Sequence, residues 1–475
     1  MDLLKKIENL SIEKGNLCAI RYKDMQSSYL ELWKKVKELS KCISDLIGPE
    51  NVNQPIAIIG ERSVEFVISM IAVMHSRNYY IPIEMPTPEA RVKYIKKNVA
   101  GVIEIKNHQY LLEKKGILLE SGDRLAYAMY TSGTTGKPKG VKIKYENLNN
   151  LVNELGTVLY GKYLLPKNVG VIASFSFDAS VKQIFGALYY GNTLVISENS
   201  DRYFSRKMAG FFKKNSIAVA DLTPSHLKIL INSKQNIEVE CLLVGGESLQ
   251  WKTVDEFMEV CNNQVEIINV YGPTECCVDV CYYKVPIEKR AREDETVPIG
   301  KPLKNIGLTI VDKNNNLVSE PNIEGELVIS GKQVGAGYYD KKETNKVFKR
   351  NHKGEMAYYS GDIVKYNGEF DLVFLRREDR QIKLRGNRIE LDEIEKNIIA
   401  ISQVKDATVI FDDENEKIVA FVKVINQAGA DTYIKRKLKE KMPSYMVPQK
   451  IILVNSIPLT SNGKKDLKKL KRYYQ

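Results

Sequence analysis

The chain has 475 residues but only four histidines, and its seven cysteines form no C-x-x-C pair. Cys276, Cys277 and Cys281 cluster without an adjoining histidine. Zinc takes about four N/S ligands, which this set does not supply. The cysteines read instead as buried, reduced thiols, as in the cytosol. The N-terminus, Met1-Asp-Leu-Leu-Lys-Lys-Ile-Glu, lacks the apolar core of a signal peptide. The longest apolar helical stretch, Val64 to Met74, contains Glu65 and is too short to span a bilayer. No low-complexity block or long linker is present, so a cytoplasmic globular protein with no membrane partner is expected. The net charge is +12, and residues 379–475 hold 20 Lys+Arg against 13 Asp+Glu, a surplus of seven. The basic runs Lys435–Lys441 and Lys464–Arg472 carry no interleaved aromatics. That argues against a nucleic-acid stacking platform and for solvated helix faces or an acidic protein partner.

What is present centres on Tyr130 to Val141, Tyr-Thr-Ser-Gly-Thr-Thr-Gly-Lys-Pro-Lys-Gly-Val. Its glycines allow a tight turn and close approach of N–H groups to a ligand. The hydroxyls of Thr131, Ser132, Thr134 and Thr135 can donate to phosphate oxygens, and Lys137 adds a point charge. With the apolar run Leu125–Tyr130 before it, the stretch reads as a strand followed by a phosphate loop. It is not a Walker loop: Thr131 stands where the first glycine would be, and Pro138 follows Lys137.

Elsewhere the pattern is strand, helix, strand. Residues 1–50 read as helices. Ile56–Gly60 and Tyr79–Glu84 read as strands, with a helix from Ser63 to Met74 capped by Ser63. Further strands are expected at Val169–Ser174, Asn192–Ile196, Ile217–Asp221, Cys241–Glu247 and Val265–Val270, with a helix at Val181–Leu188. This order predicts a parallel sheet with crossover helices and a ligand beyond the strands' carboxyl ends. After Pro298 short strands with turns indicate a β subdomain. The charged run Arg376–Arg380 marks a boundary, dividing residues 1–378 from a small α+β domain at 379–475.

These stretches, in this order, resemble the adenylate-forming superfamily, most nearly the amino-acid adenylation domains of non-ribosomal peptide synthetases and their stand-alone relatives. The resemblance rests on the opening loop, Phe177-Asp-Ala-Ser180, Asn269-Val-Tyr-Gly-Pro-Thr-Glu275, Gly325-Glu-Leu to Gly337-Tyr-Tyr, Tyr359-Ser-Gly-Asp362, Arg377 to Gly386 with Arg388-Ile-Glu-Leu, and Leu459-Thr-Ser-Asn-Gly-Lys464. It implies an α/β fold: a large N-terminal domain of stacked β-sheets with flanking helices and a β subdomain, and a small α+β C-terminal lid.

It also implies a reaction. A carboxylate attacks the α-phosphate of ATP, pyrophosphate leaves, and a carrier thiol then attacks the acyl-adenylate. By this resemblance Thr131, Ser132, Gly133, Thr134, Thr135, Gly136 and Lys137 hold the β- and γ-phosphates. Thr274 contacts the α-phosphate, and Glu275 binds Mg²⁺. Gly245, Gly246, Asn269, Tyr271, Gly272 and Phe374 surround the nucleotide, with Asn269 at the adenine amine and Tyr271 stacked on the ring. Asp362, helped by Arg377, accepts from the ribose. Lys464 bridges the substrate carboxylate and the adenylate. Asp379 is the hinge, and Lys383 and Gly386 face the site in the second half-reaction. Tyr145, Arg376 and Phe374 depart from the family's usual His, Gly and Tyr.

Asp178 matches the residue that pairs with a substrate α-ammonium. The other pocket positions are Ala179, Lys182, Asp221, Leu243, Gly245, Val270, Val278, Asp279 and Lys464. The set is similar to the signature of glutamate-activating domains, and a lysine at the pocket floor suits an acidic side chain, with Asp221 or Asp279 holding it in place. Glutamate is expected ahead of aspartate and glutamine. An internal Lys182–Asp221 pair in a pocket for a neutral residue is the alternative. The chain ends a few residues past Lys464, so the phosphopantetheine carrier protein is expected in trans. Competing readings are an acyl-CoA or other acid–thiol ligase, a D-alanine–carrier ligase, and a non-catalytic nucleotide sensor.

Overall fold

The computed structural model describes all residues except 119–121, 134–135, 164, 262–264, 287–293, 414, 427, 459–464 and 475. The chain divides into two compact units. One comprises 1–85, 98–129 and 140–378, and the other comprises 86–97, 130–139 and 379–475. The phosphate-loop stretch and the helix Glu89–Lys96 therefore group with the C-terminal residues, although sequence order places them far ahead.

The larger unit is built on three sheets. A nine-stranded sheet runs in the order 301–302, 281–284, 266–271, 241–245, 219–222, 168–171, 193–196, 18–22 and 25–28. Its central pairs, from 266–271 across to 18–22, are parallel. A seven-stranded sheet includes 79–84, 55–60 and 101–106, also parallel to one another. A six-stranded antiparallel sheet formed by residues 306–377 is the expected β subdomain.

The helix Val64–His75 begins at Ser63, whose hydroxyl accepts from the Phe66 N–H at 3.2 Å. Residues 64 to 74 are all buried, because the helix touches strands of both parallel-rich sheets and has no solvent face. That explains a sequence that is apolar all round yet far too short for a bilayer. Among the described residues no helix is long and apolar enough to cross a membrane.

The expectation of helices throughout residues 1–50 is corrected. Helices Leu3–Glu13 and Tyr29–Ile47 flank a hairpin, Cys18–Tyr22 with Met25–Ser28. Ile20 adds to the sheet edge opposite Leu194, and Lys23 takes a left-handed φ of 53° in the turn. Strands of five and four residues are too short to show their alternation against amphipathic neighbours. Ser28 ends the hairpin and opens the next helix through a capping box with Glu31.

The smaller unit contains the hairpin Gln381–Leu384 and Asn387–Glu390, the helix Leu391–Ile399, and a three-stranded sheet of 404–412, 417–424 and 450–453. Its own core includes Ile389, Ile394, Ile398, Val409, Ala420 and Leu438.

Candidate active site

Of the expected pocket residues, Asp221, Leu243, Gly245 and Val270 lie within strands of the nine-stranded sheet, Ala179 and Lys182 on the helix Ala179–Tyr189, and Val278 and Asp279 between the strands 266–271 and 281–284. Asp178 takes the N-cap position of the helix Ala179–Tyr189, but with helical dihedrals (φ −62°, ψ −30°) and no side-chain capping bond. Its carboxylate is therefore not consumed as a cap, and Ser180 does not substitute, since its hydroxyl donates to the Phe177 carbonyl at 2.7 Å. Lys182 lies one helical turn on, on the same face. It is 3% exposed, and its Nζ stands 2.8 Å from Asp221 Oδ2 and 2.7 Å from Asp279 Oδ2. Both aspartates, not one or the other, hold it.

One ammonium between two carboxylates leaves a buried charge of −1. Burial works against the Lys182 cation but is outweighed by Asp221 and then Asp279, which hold its pKa above the usual lysine value. Asp221, in contrast to an ordinary salt-bridged carboxylate, is pushed up to about 6, by burial first and by Asp279 against the pull of Lys182. The two shifts are not contradictory: a single cation shared by two anions cannot keep both in the normal carboxylate range. Leu243, Val270 and Val278 are buried beside the cluster, whereas Asp178 and Ala179 are half-buried.

Asp279 is presented by an unusual turn. Cys277 (φ 56°) and Val278 (φ 75°) are both left-handed, which is costly for a β-branched residue. Gln333 secures the turn: its fully buried amide donates to the carbonyls of Cys276, Cys277 and Asp279, while its oxygen accepts from Asn150. Gly272 and Gly245 are required by close approach. A Cβ on Gly272 would lie 2.0 Å from the Val278 carbonyl, and one on Gly245 2.6 Å from that of Val270. Gly246, with φ 82°, makes the turn after the strand.

Ahead of Asp178, Arg62 fixes the approach. It is 2% exposed and donates to the carbonyls of Val171, Ala173 and Ser197 at 2.7–3.0 Å. Its neighbour Glu84 accepts from the Phe175 N–H at 2.6 Å. Arg62, Glu84 and Gln333 escape notice in the sequence, because nothing local distinguishes them from surface polar residues.

The expected nucleotide residues of the larger unit also converge. Tyr271 donates its hydroxyl to Asp362 Oδ2, and Arg377 reaches Asp362 Oδ1 at 2.5 Å. Burial, followed by Asp362, raises the Tyr271 pKa. The Phe374 ring lies 6.4 Å from that of Tyr271, tilted by 32°. Asn269 uses its NH₂ on the carbonyls of Pro298 (2.8 Å) and Val297 (3.3 Å), which points its chemistry toward accepting through oxygen. Glu275 is fully buried and accepts from the Tyr338 hydroxyl at 2.6 Å. Thr274, half-buried, opens a short 3-10 turn whose Cys277 N–H returns to its carbonyl. The thiols of Cys276, Cys277 and Cys281 are pushed up by burial, as structural cysteines are.

The loop that follows Tyr130 belongs to the other unit. Gly133 cannot bear a side chain: its Cβ would lie 2.1 Å from the Lys137 carbonyl. Gly136, with φ 83°, closes the turn by donating to Gly133 O. The Gly133 N–H donates to Glu393 Oε2 at 2.8 Å, and Ser132 bridges Arg388 O and the Glu390 N–H. Here an anionic oxygen already rests on a loop amide. Within the same unit Asp379 accepts from the Gln381 N–H, and Arg385 and Gly386 form the left-handed turn of the hairpin that carries Lys383. Thr134, Thr135 and Lys464 lie outside the described residues.

The family model described as AMP-binding enzyme matches residues 104–339, and that described as AMP-binding enzyme C-terminal domain matches residues 393–464. The chain belongs to the AMP-binding enzyme family. It is 31% identical to bacitracin synthase 1 of Bacillus licheniformis over 94% of its length, and 32% identical to surfactin synthase subunit 1 of Bacillus subtilis (strain 168) over 98%. It spans only 9% and 14% of those relatives. The fold is similar to that of the Vibrio cholerae adenylation domain AlmE in complex with glycyl-adenosine-5′-phosphate (TM-score 0.84, 22% identity, 100% and 97% of the two chains). It is also similar to NpsA-ThdA, an artificially fused adenylation–PCP di-domain from Klebsiella oxytoca (TM-score 0.80, 21% identity, 96% and 94%). The larger matched span includes the loop, Asp178, Lys182, Asp221 and Asp279; Asp362 and Arg377 fall between the two spans.

Proposed function

We propose that this protein activates glutamate with ATP, forming glutamyl-adenylate and pyrophosphate, and passes the acyl group to the phosphopantetheine thiol of a carrier protein. The observation that carries the substrate reading is the buried Lys182 ammonium one turn below Asp178, on the same helix face. Asp178 would pair with the α-ammonium and Lys182 would donate to the side-chain carboxylate. An ammonium has three donors; Asp279 accepts one of them at 2.7 Å, and Asp221 Oδ2 stands 2.8 Å away as an ion pair that lacks hydrogen-bond geometry.

For the nucleotide, Tyr271 and Phe374 offer aromatic faces to adenine, Asn269 an acceptor for its amine, and Asp362 with Arg377 a carboxylate for the ribose hydroxyls. Thr274 would contact the α-phosphate, and the loop from Thr131 to Lys137 the β- and γ-phosphates. Lys464 would neutralise charge building up between the attacking carboxylate and the α-phosphate, and Asp379 would serve as the pivot of residues 379–475. Glu275 suits Mg²⁺: it is a hard oxygen donor oriented by Tyr338, and among the described residues no three acidic, His or Cys side chains gather into a cage. One carboxylate plus phosphate and water oxygens is a donor set magnesium accepts. The metal would supply neutralisation of the phosphates.

The carrier reading draws on the proteins of similar fold, one of which is an NRPS protein containing adenylation and PCP domains. A second substrate reading has its own observation. The surplus negative charge of the Asp221–Lys182–Asp279 cluster favours a cationic side chain, such as that of lysine or ornithine. Amino-acid-dependent exchange of labelled pyrophosphate into ATP decides between them. Glutamate should give the highest exchange; exchange with lysine or ornithine in its place would select the second reading, and none with any amino acid would remove both. Loading of a phosphopantetheinylated carrier, followed by mass spectrometry, tests the second half-reaction.

A further inference from the structure

The pocket floor poses a charge problem for the substrate proposed above. Lys182, Asp221 and Asp279, at 3%, 7% and 7% side-chain exposure, sum to −1 before anything binds. The side-chain carboxylate of glutamate would bring the buried total to −2 around one ammonium, with no solvent to screen it. Among the described residues the groups facing the cluster offer no further cation. Helix Ala179–Tyr189 contributes Lys182 itself and Gln183, whose amide donates to the Asp221 carbonyl. Tyr160 faces Asp221, and the segment around Asp279 contributes Cys277 and Cys281. Asp178, at the head of the helix, adds negative charge, which the α-ammonium offsets in the reading above. Tyr160 and the two thiols are held in their neutral forms by burial, so none of them compensates near neutral pH.

We infer that glutamate binds this pocket together with one proton from solvent, shared among its own side-chain carboxyl, Asp221 and Asp279. The inference rests on the glutamate reading and deepens it. Lys182 then donates its three hydrogens to three carboxyl groups that together carry two negative charges, restoring the balance of the empty site. Asp221, which burial already moves up to about 6, is the member of the cluster nearest to accepting the proton. Glutamine has the same size and the same α-groups but brings no charge, so it takes up no proton. Selection between the two side chains therefore depends on pH: low pH favours glutamate, and its advantage fades as pH rises.

The test is calorimetric titration of glutamate and of glutamine into the enzyme saturated with a non-hydrolysable ATP analogue, at pH 7.5, in buffers of different ionisation enthalpy. Glutamate should take up about one proton per site and glutamine none, because protons bound appear directly as the slope of heat against buffer enthalpy. At pH 5 the empty cluster already holds its proton, so uptake by glutamate should fall toward zero. In pyrophosphate exchange the KM for glutamate should rise by up to about tenfold per pH unit above neutrality, while that for glutamine stays flat. Asp221→Asn removes one carboxylate and should flatten the glutamate profile. Glutamate that binds the wild-type enzyme at pH 7.5 without proton uptake overturns the inference and leaves the substrate reading standing. Glutamate that neither binds nor drives exchange overturns the reading and the inference with it. The wild-type titration decides the question even if the variant does not fold.

Discussion

Replacing Lys182 by methionine isolates what the pocket floor costs. The methionine keeps an unbranched stem of similar length and removes the only cation among the described residues that pairs with Asp221 and Asp279. Breaking a buried ion pair from one side destabilises by roughly 3–5 kcal/mol, because the remaining charge has no partner. Here two carboxylates remain, so the native state takes up a proton that the unfolded chain does not hold. A carboxyl protonated when folded and titrating near 3.9 when unfolded makes stability fall with rising pH by about 1.4 kcal/mol per unit. The sign follows from proton numbers: the native state binds more, so raising pH favours unfolding until the native pKa is passed. In the wild type the raised Asp221 pKa places the corresponding loss below about 6, and Lys182 stays charged well above neutrality. Between pH 6.5 and 8.0 the wild type should therefore change little from this cluster, whereas Lys182→Met should lose about 2 kcal/mol more at the higher pH. The sequence has two tryptophans, Trp33 and Trp251, both in the larger unit, so urea unfolding followed by tryptophan fluorescence reads that unit alone. A total loss below about 1 kcal/mol, or the same loss at both pH values, would refute the charge argument. The triple variant Lys182→Met, Asp221→Asn, Asp279→Asn removes all three charges and should recover most of the stability.

Gln333→Leu should raise the KM for the amino acid by about tenfold, since three carbonyls of the Cys276–Asp279 turn lose their donor. The KM for ATP should stay within about twofold, and equal changes in both would assign Gln333 a general structural role. Gly133→Ala places a Cβ 2.1 Å from the Lys137 carbonyl, so the loop must shift. Displacing a positioning loop by about 1 Å costs on the order of 100-fold in rate, to be read as pyrophosphate exchange at saturating amino acid; unchanged exchange would separate the loop from phosphate binding. Tyr338→Phe removes the 2.6 Å hydrogen bond that orients Glu275. The Mg²⁺ concentration for half-maximal exchange should rise about tenfold, and an unshifted magnesium curve would count against Glu275 as the metal ligand.

The architecture was legible where chemistry is local. Buried parallel strands announce themselves as short β-branched runs, and the polar residues at their ends, from Asp178 to the Tyr271–Glu275 turn, stand out against them. The N-terminal hairpin was not legible, because nine strand residues between two amphipathic helices carry too little periodicity. The helix at Val64–His75 was legible as an element but not as a layer, since only its contacts with two sheets explain an apolar surface on every side. The site divides in the same way. Lys182, Asp221 and Asp279 could each be nominated from motif position, but they lie up to 97 residues apart. Sequence spacing cannot say whether a lysine meets one aspartate, two or none. The difference is decisive. With one aspartate the floor is neutral, and a neutral side chain is its natural occupant. With none it is a bare cation, and any carboxylate would bind. With two it is an anion built around a cation, which accepts an acidic side chain only when a proton comes with it. Specificity in this pocket is therefore a property of a charge sum, and the sum becomes visible only once the turn held by Gln333 brings Asp279 to Lys182.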